Sequence, residues 1–447
     1  MESEYGFEQK SRLATPMKTT IVSPKIYTYG SLVLGGILRA RGHAVTITRD
    51  LSSSGEVTLL SLFSTSQLLD PEIRAFAKRS PRIYVGGPVG LVPEIVLGEL
   101  EVDAVVMGEG EEVASDLVEK GPSAEIPGIA FLQDGEVVKT DPVPVSDLDH
   151  VMPLIPEDLK SQNVRGANVY IETHRGCLGG CTFCQVPRFF GRSIRSRSLD
   201  NVLAEVREMK ERGVVRVAVS GGTGSLFGYG KDVNKEAFTT LLRSLAEILG
   251  PRNLSVPDMR VDFVDEDILE AVRKYTVGWV FFGIESGSER VLKAMKKGTT
   301  PEKNLEAVDL AHRCGVKVGG SFIVGYPGET EEDYQATLDF MDEAMLEDVF
   351  ASVAEPIPGT PLAKLALEHP KDENLLYQDH TGDYRALKLS EAESRCFNLM
   401  LHGQNCKPIP KIVDDATYAA FLEEARIQGR DVRRVMDLLE KYRGQIV

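Results

Sequence analysis

Short apolar runs alternate with amphipathic stretches along most of the chain, and no other feature constrains its fold as tightly. In the first third, Thr19–Ser23, Ala44–Thr48, Val57–Phe63, Arg82–Val85 and Ala104–Met107 read as strands. Tyr29–Arg41, Asp70–Arg79 and Pro93–Leu100 read as the helices between them. Brief buried strands joined by helices pair in parallel and are covered on both faces, which predicts a doubly wound α/β unit over residues 18–140. Ligands of such sheets sit at the carboxyl ends of the strands, where Ser61, Gly86-Gly87 and Gly108-Glu109-Gly110 gather. Taken singly, each of these glycines serves equally well to end a strand or cap a helix. Asp134-Gly135, between Ile129–Leu132 and Glu136–Lys139, suits a hairpin turn.

Asp141–Pro156 carries four prolines among polar residues, so a linker is predicted over residues 141–165. A second alternation follows, with strands at Asn168–Glu172, Val214–Ser220, Leu254–Val256, Val277–Ile284, Val316–Val324 and Val349–Val353. Helices such as Asn201–Arg212 and Glu302–Cys314 lie between them. Six strands in this order predict a full or partial (β/α)6 parallel barrel over residues 166–361, with its active site at the carboxyl-end mouth. Residues 370–447 carry charged helical stretches, Ser390–Leu401 and Thr417–Tyr442, and are expected to form a small helical module.

Composition narrows the partners. The chain has 447 residues, and 51 basic against 67 acidic side chains leave a net charge of −16. Strong sequence-independent docking on a nucleic-acid backbone is therefore not expected. No uncharged apolar run reaches the roughly eighteen residues a membrane-spanning helix needs. The acidic start, Met1-Glu2-Ser3-Glu4, lacks an apolar signal core, so a cytoplasmic enzyme is expected. Six cysteines are too few for a disulfide scaffold, yet three of them crowd together, which in a reducing compartment points to metal or redox chemistry.

That crowd is Cys177-Leu178-Gly179-Gly180-Cys181-Thr182-Phe183-Cys184. Three thiolates at this spacing suit an iron–sulfur cluster, and with three ligands one iron of a cubane stays open to an external molecule. A closed zinc site needs a fourth ligand, for which His174 is the candidate. Gly179 and Gly180 let the loop curl around a bulky group, and Phe183 can shield it. Cys314, Cys396 and Cys406 are scattered and are expected to be plain core or surface thiols.

The spacing CxxxCxxC after a first barrel strand, with an aromatic before the last cysteine, resembles the radical S-adenosylmethionine (radical SAM) superfamily. Further segments fall in the family's order at strand ends. Ser220-Gly221-Gly222-Thr223 resembles the segment whose backbone holds the methionine amino group, although Thr223 replaces the usual acid. Gly283-Ile284-Glu285-Ser286-Gly287-Ser288 resembles the ribose-binding segment, and Ile323–Thr330 the adenine-side motif. Glu355-Pro356-Ile357-Pro358-Gly359-Thr360-Pro361 resembles the segment after the sixth strand. The resemblance, covering about Asn168–Pro361, implies a [4Fe-4S] cluster on Cys177, Cys181 and Cys184. It also implies SAM held by Phe183, Gly221, Gly222, Thr223, Arg260, Glu285, Ser286, Val324 and Ile357. Arg260 is expected to pair with the SAM carboxylate or else lie at the surface, and Tyr326 either touches substrate or packs.

The N-terminal unit resembles the Rossmann-like cobalamin-binding domain that precedes the barrel in many radical SAM enzymes. The segments Tyr29–Asp50, Ser61–Ser66, Tyr84–Pro88 and Val105–Glu112 carry this likeness. It implies corrin contacts from Ser61, Thr65, Gly86, Gly87, Gly108, Glu109 and Gly110. The Asp-x-His-x-x-Gly motif that ligates cobalt from below is missing, so no such histidine is expected on the metal. A degenerate domain binding nothing is the alternative.

Together these likenesses imply a cobalamin-dependent radical SAM methyltransferase. Reduced cluster would cleave SAM to a 5′-deoxyadenosyl radical, and methylcobalamin would deliver a methyl group to a substrate radical held between the domains. A low-potential donor such as ferredoxin or flavodoxin is implied. Among methanogen members, the text resembles most closely those that methylate a glutamine α-carbon of methyl-coenzyme M reductase, implying a protein or peptide substrate. A methylthiotransferase is the main rival, but such enzymes carry three further cysteines upstream, and none precedes Cys177 here. A ring-forming or rearranging radical SAM enzyme, one methylating or rearranging a small metabolite, and a non-catalytic carrier protein are the others.

Overall fold

The computed structural model describes residues 16–446. Its first unit is a seven-stranded sheet in the order β2-β1-β3-β4-β5-β6-β7. The strands are β1 (Lys18–Val22), β2 (Ala44–Thr48), β3 (Val57–Ser61), β4 (Ile83–Gly86), β5 (Ala104–Val106), β6 (Ile129–Gln133) and β7 (Glu136–Lys139). The first five are parallel, with Thr19 opposite Val57 and Ser61 opposite Gly86. Helices α1 (Tyr29–Ala40), α2 (Pro71–Arg79), α3 (Pro93–Glu99) and α4 (Val113–Lys120) cover the faces. β3 is buried along its length apart from Ser61, so its side chains belong to both helical layers. The last two strands are antiparallel, and Asp134 (φ 53) and Gly135 (φ 85) form their tight turn.

The second unit is a partial parallel barrel in two sheets. One holds β8 (Val169–Glu172), β9 (Val217–Ser220) and β10 (Leu254–Ser255); the other holds β11 (Asp258–Met259), β12 (Trp279–Glu285), β13 (Lys317–Val324) and β14 (Asp348–Val353). The strand expected at Leu254–Val256 is β10, and β11 beyond it was not expected. Pro257 between them has no N–H to give to a ladder, which breaks the strand at that point. Helices α5 (Leu199–Glu211), α6 (Lys235–Leu249), α7 (Glu266–Tyr275), α8 (Pro301–Arg313) and α9 (Glu331–Ala344) lie outside. Ser198, Asn234, Asp265 and Thr300 cap four of them with side-chain oxygens, and Thr330 with Asp333 forms a capping box for α9.

After α10 (Pro361–Glu368), the helical module consists of α11 (Glu391–Asn405) and α12 (Asp415–Lys441). Gln428 of α12 accepts the Val353 N–H (2.8 Å) and donates to Ala351 O (3.3 Å), filling part of the open edge of β14. Further along, Lys441 Nζ meets Glu99 Oε1 at 2.6 Å, and Tyr442 packs into the core of the first unit. The module therefore straps the barrel to the N-terminal unit. Among the described residues, no helix is long and apolar enough to cross a membrane.

Candidate active site

The cysteine loop leaves β8 through His174–Arg175, which pair antiparallel with Arg195–Ser196. Thr182 fixes its middle: the Thr182 N–H donates to Met295 O (2.9 Å), and its hydroxyl lies 2.8 Å from the Tyr326 hydroxyl. Arg188 closes it by donating to the carbonyls of Cys181 (3.3 Å) and Cys184. All three cysteines are free thiols lining one cavity, Cys177 and Cys181 buried and Cys184 half-buried. Three thiols on the wall of one roomy cavity suit a multi-iron cluster. His174 is not a fourth ligand. Fully buried, it lies with Nε2 2.9 Å from Thr223 O and Nδ1 3.0 Å from the Thr173 hydroxyl, and burial lowers its pKa to about 4. The closed zinc site loses its candidate ligand. Burial pushes the Cys184 thiol up to about 11, so a thiolate there needs a cationic partner such as iron.

The cavity below the cysteines fills the barrel lumen and holds about 840 Å³. Gly222 (φ 51) and Thr223 line it beside Cys177, and a Cβ at Gly222 would strike Gly176 O. The Thr223 hydroxyl is buried without a hydrogen-bond partner, an orphan group that a polar ligand would satisfy. Across the lumen, a register irregularity between Gly283 and Glu285 and a positive φ of 67 at Glu285 turn that carboxylate into the cavity. Lys297 holds it there with a 2.6 Å ion pair in which both side chains are buried. A Cβ at Gly283 would lie 2.6 Å from Glu285 Oε1 and Lys297 Nζ, so any larger residue there would push the pair aside. Arg260 lines the cavity with Nη1 3.4 Å from Cys181 Sγ, while Nε and Nη2 clasp Asp262. Its fork is engaged by Asp262 and the Lys297 carbonyl.

In the N-terminal unit a second cavity opens at the strand ends. Ser61, Gly86, Gly87, Gly108, Glu109 and Gly110 line it as expected, joined by Phe189, Phe190 and Arg175 from the barrel. Gly30 and Gly86 present bare backbone there, and none of the lining residues is a histidine, which suits a flat corrin without a lower protein ligand. Phe63 and Pro88 are shared with a neighbouring cavity that includes Glu355 and Ile357. Glu355 and Ile357 also line a cleft of about 460 Å³, and that cleft meets the barrel lumen at Phe183 and Phe350. Two smaller cavities that share lining side chains with their neighbours therefore lie between the two cofactor-sized spaces.

Several expected contacts lie elsewhere. Tyr326 is 1% exposed and packed, its hydroxyl 2.8 Å from that of Thr182, so it does not face substrate. Ser286 is buried, with its hydroxyl 3.2 Å from that of Thr337, and the Val324 side chain belongs to the barrel core. Ile357 and Thr65 line the connecting cavities rather than the lumen or the corrin space. Lys297, Arg188, Arg175 and Arg195 were not anticipated. Lys296-Lys297 reads in sequence as a solvated charge pair, and only burial of the second lysine against Glu285 reveals its place.

The profile of the radical SAM superfamily matches residues 171–341, which include the three cysteines, the Gly221–Thr223 turn and Glu285. A Methanocaldococcus jannaschii protein provisionally named a methylthiotransferase is 52% identical over 442 residues, covering 96% of this chain and 98% of its own. In fold, the chain is similar to the radical SAM methyltransferase TsrM of Kitasatospora setae with cobalamin and a [4Fe-4S] cluster bound (TM-score 0.67, 16% identity, 95% of this chain and 99% of that one). It is similar too to the cobalamin-dependent SAM radical enzyme OxsB with aqua-cobalamin and SAM bound (TM-score 0.59, 18% identity, 94% and 56%). A cysteine loop at the barrel mouth, a lumen shaped for a polar cofactor and this sequence kinship lead to one conclusion: the chain is an enzyme of the radical SAM superfamily.

Proposed function

We propose that this enzyme is a cobalamin-dependent C-methyltransferase acting on a protein segment, and in its most specific form on the α-carbon of a glutamine in methyl-coenzyme M reductase. The observation that carries the methyl-transfer reading is the row of adjoining cavities, each sharing lining side chains with the next, that runs from the glycine-lined corrin space to the cysteine-lined lumen. A reacting carbon seated along that row would lie between both cofactors.

Cys177, Cys181 and Cys184 would hold the [4Fe-4S] cluster, leaving one iron for SAM, and Ser61, Gly86, Gly87, Gly108 and Gly110 would seat cobalamin. When bound, SAM and the cluster supply the radical that removes an inert hydrogen, and cobalamin supplies the methyl group. The protein's own groups position and exclude. The Gly222 backbone and Thr223 hydroxyl would receive the methionine end of SAM, and Glu285, oriented by its ion pair with Lys297, would accept from the ribose hydroxyls. Phe183, Phe350, Ile323 and Val432 keep the connecting cleft apolar. Glu355, Glu424 and Asp431 are its charged lining groups, and this balance favours a peptide bearing positive charge. A low-potential ferredoxin or flavodoxin is the proposed electron donor.

The name carried by the M. jannaschii relative offers the second reading. Methylthio transfer would draw on a sulfur source at a second cluster, and no cysteine precedes Cys177. The test is one anaerobic turnover of enzyme reconstituted with iron, sulfide and cobalamin, given SAM and a reductase peptide that contains the glutamine. A single added methyl on that residue, with S-adenosylhomocysteine and 5′-deoxyadenosine formed, is the expected result. A methylthio adduct would favour the second reading. SAM cleavage with the peptide untouched would remove the glutamine assignment, and turnover indifferent to cobalamin would overturn the methyltransferase assignment.

A further inference from the structure

A second ligand set lies far along the chain from the cysteine loop. His402 is near the carboxyl end of α11, and Cys406, four residues on, is that helix's C-cap, so both side chains project from one helical face. Asp342 of α9 faces them. Its Oδ1 lies 2.9 Å from His402 Nε2 and 2.9 Å from Cys406 Sγ, and the three ligand atoms all fall within 4.8 Å of one another. His402 Nε2 is buried yet makes no hydrogen bond: the nearby carboxylate oxygen lies off the direction of the ring N–H. Asp342 Oδ1 accepts from the Cys406 thiol, so the three ligand atoms already converge on one point. The neighbouring cation is spoken for, since the Lys407 ammonium lies 3.5 Å from Asp348.

We propose that Asp342, His402 and Cys406 form a binding site for one divalent cation of zinc-like preference, separate from the iron–sulfur centre. One imidazole, one thiolate and one carboxylate are a zinc donor set, and their combined charge of −2 matches the ion. Zinc bonds of about 2.0–2.3 Å at tetrahedral angles place ligand atoms about 3.3–3.6 Å apart, so the set must open by a few tenths of an ångström. Asp342 is 62% exposed at its side chain and free to make that adjustment, and its exposure leaves the fourth position to water. The bound ion would staple the end of α11 to α9. It would also fix the start of the 406–414 segment, whose Ile409 and Ile412 are 81% and 98% exposed.

The test uses the full-length enzyme with its iron–sulfur cluster reconstituted and iron counted, so that zinc on Cys177, Cys181 or Cys184 is recognised by lost iron. The expected result is one zinc per chain beyond the full iron content, held against a chromophoric zinc indicator. His402→Ala and Cys406→Ser should each weaken this binding at least about 100-fold with iron unchanged. Zinc should also slow tryptic cleavage after Lys411 in the wild type and not in either variant. Cys406→Ser changes one atom, and an unaltered circular dichroism spectrum would show that it folds. Zinc retained by the His402→Ala/Cys406→Ser double variant, or no zinc bound by a wild type with full iron, would overturn the proposal.

Discussion

His174 shows how one side chain organises the site without touching a cofactor. Its imidazole lies under the Gly221–Thr223 turn, where a Cβ on Gly221 would meet the ring at 2.6 Å. The ring is neutral, with a pKa lowered to about 4 by burial. The sign follows from linkage. The unfolded chain takes up a proton near pH 6.5, while the folded chain resists it until about pH 4, so stability falls as pH drops through this window. Between pH 7 and pH 5 the loss from this residue is about 2 kcal/mol. His174→Gln should remove that part of the acid sensitivity, read as a smaller difference between urea unfolding curves at the two pH values in the reduced full-length chain. An unchanged difference would show that His174 titrates normally. At this scale the sequence was legible where chemistry dictates residue type: the three thiols, the glycines of the Gly221–Gly222 turn, and Glu285. It was opaque where burial decides. Tyr326 has the composition of a substrate contact and the position of a packing residue, and Lys297 the reverse.

Among the elements, β14 is the informative case. Its apolar run at Val349–Val353 was readable, and it pairs with β13 in register from Gly319 opposite Asp348 to Val324 opposite Val353. What covers its other edge was not readable, because the partner is a side chain on a helix. Gln428 presents an acceptor and a donor to two successive outward-facing backbone groups, as a neighbouring strand would. Gln428→Leu keeps the size but leaves the Val353 N–H and Ala351 carbonyl without that partner, at a cost of about 1–3 kcal/mol. Amide exchange at Val353, followed by mass spectrometry, should quicken accordingly. Arg430→Ala, at an exposed position of the same helix, should stay within about 0.5 kcal/mol of the parent. Equal exchange in the two variants would mean that water serves this edge as well as Gln428 does. Pro257 teaches the complementary lesson: the apolar run ends before it, and patterning did not show that the chain takes up strand again at Asp258.

For the molecule as a whole, the arrangement of the domains depends on charge buried at their junction. Glu109, from the Gly108–Glu111 loop after β5, accepts from Arg175 (2.7 Å) and Arg195, and its side chain is 3% exposed. Arg175 also binds Glu111 and, at 2.7 Å, Glu172, whose pKa burial raises. The cluster thus joins the corrin loop directly to the residues that precede Cys177. Local pattern could place Glu109 at a strand end, but its partners lie 66 and 86 residues away in another domain, beyond the reach of any periodicity. Breaking a buried pair by removing one member strands the other charge and costs roughly 3–5 kcal/mol, whereas an exposed pair is worth at most about 1 kcal/mol. Glu109→Gln should therefore loosen the junction while each domain keeps its own core. Protease cleavage in residues 141–158, which form no helix or strand, should accelerate and cobalamin retention on gel filtration should fall, with iron content and far-ultraviolet circular dichroism preserved. Lys78→Ala breaks the pair with Glu101, in which both side chains are about 70% exposed, and should change none of these readouts. If both variants left this segment equally protected, the α12 strap through Lys441 and Tyr442 would be carrying the domain arrangement by itself.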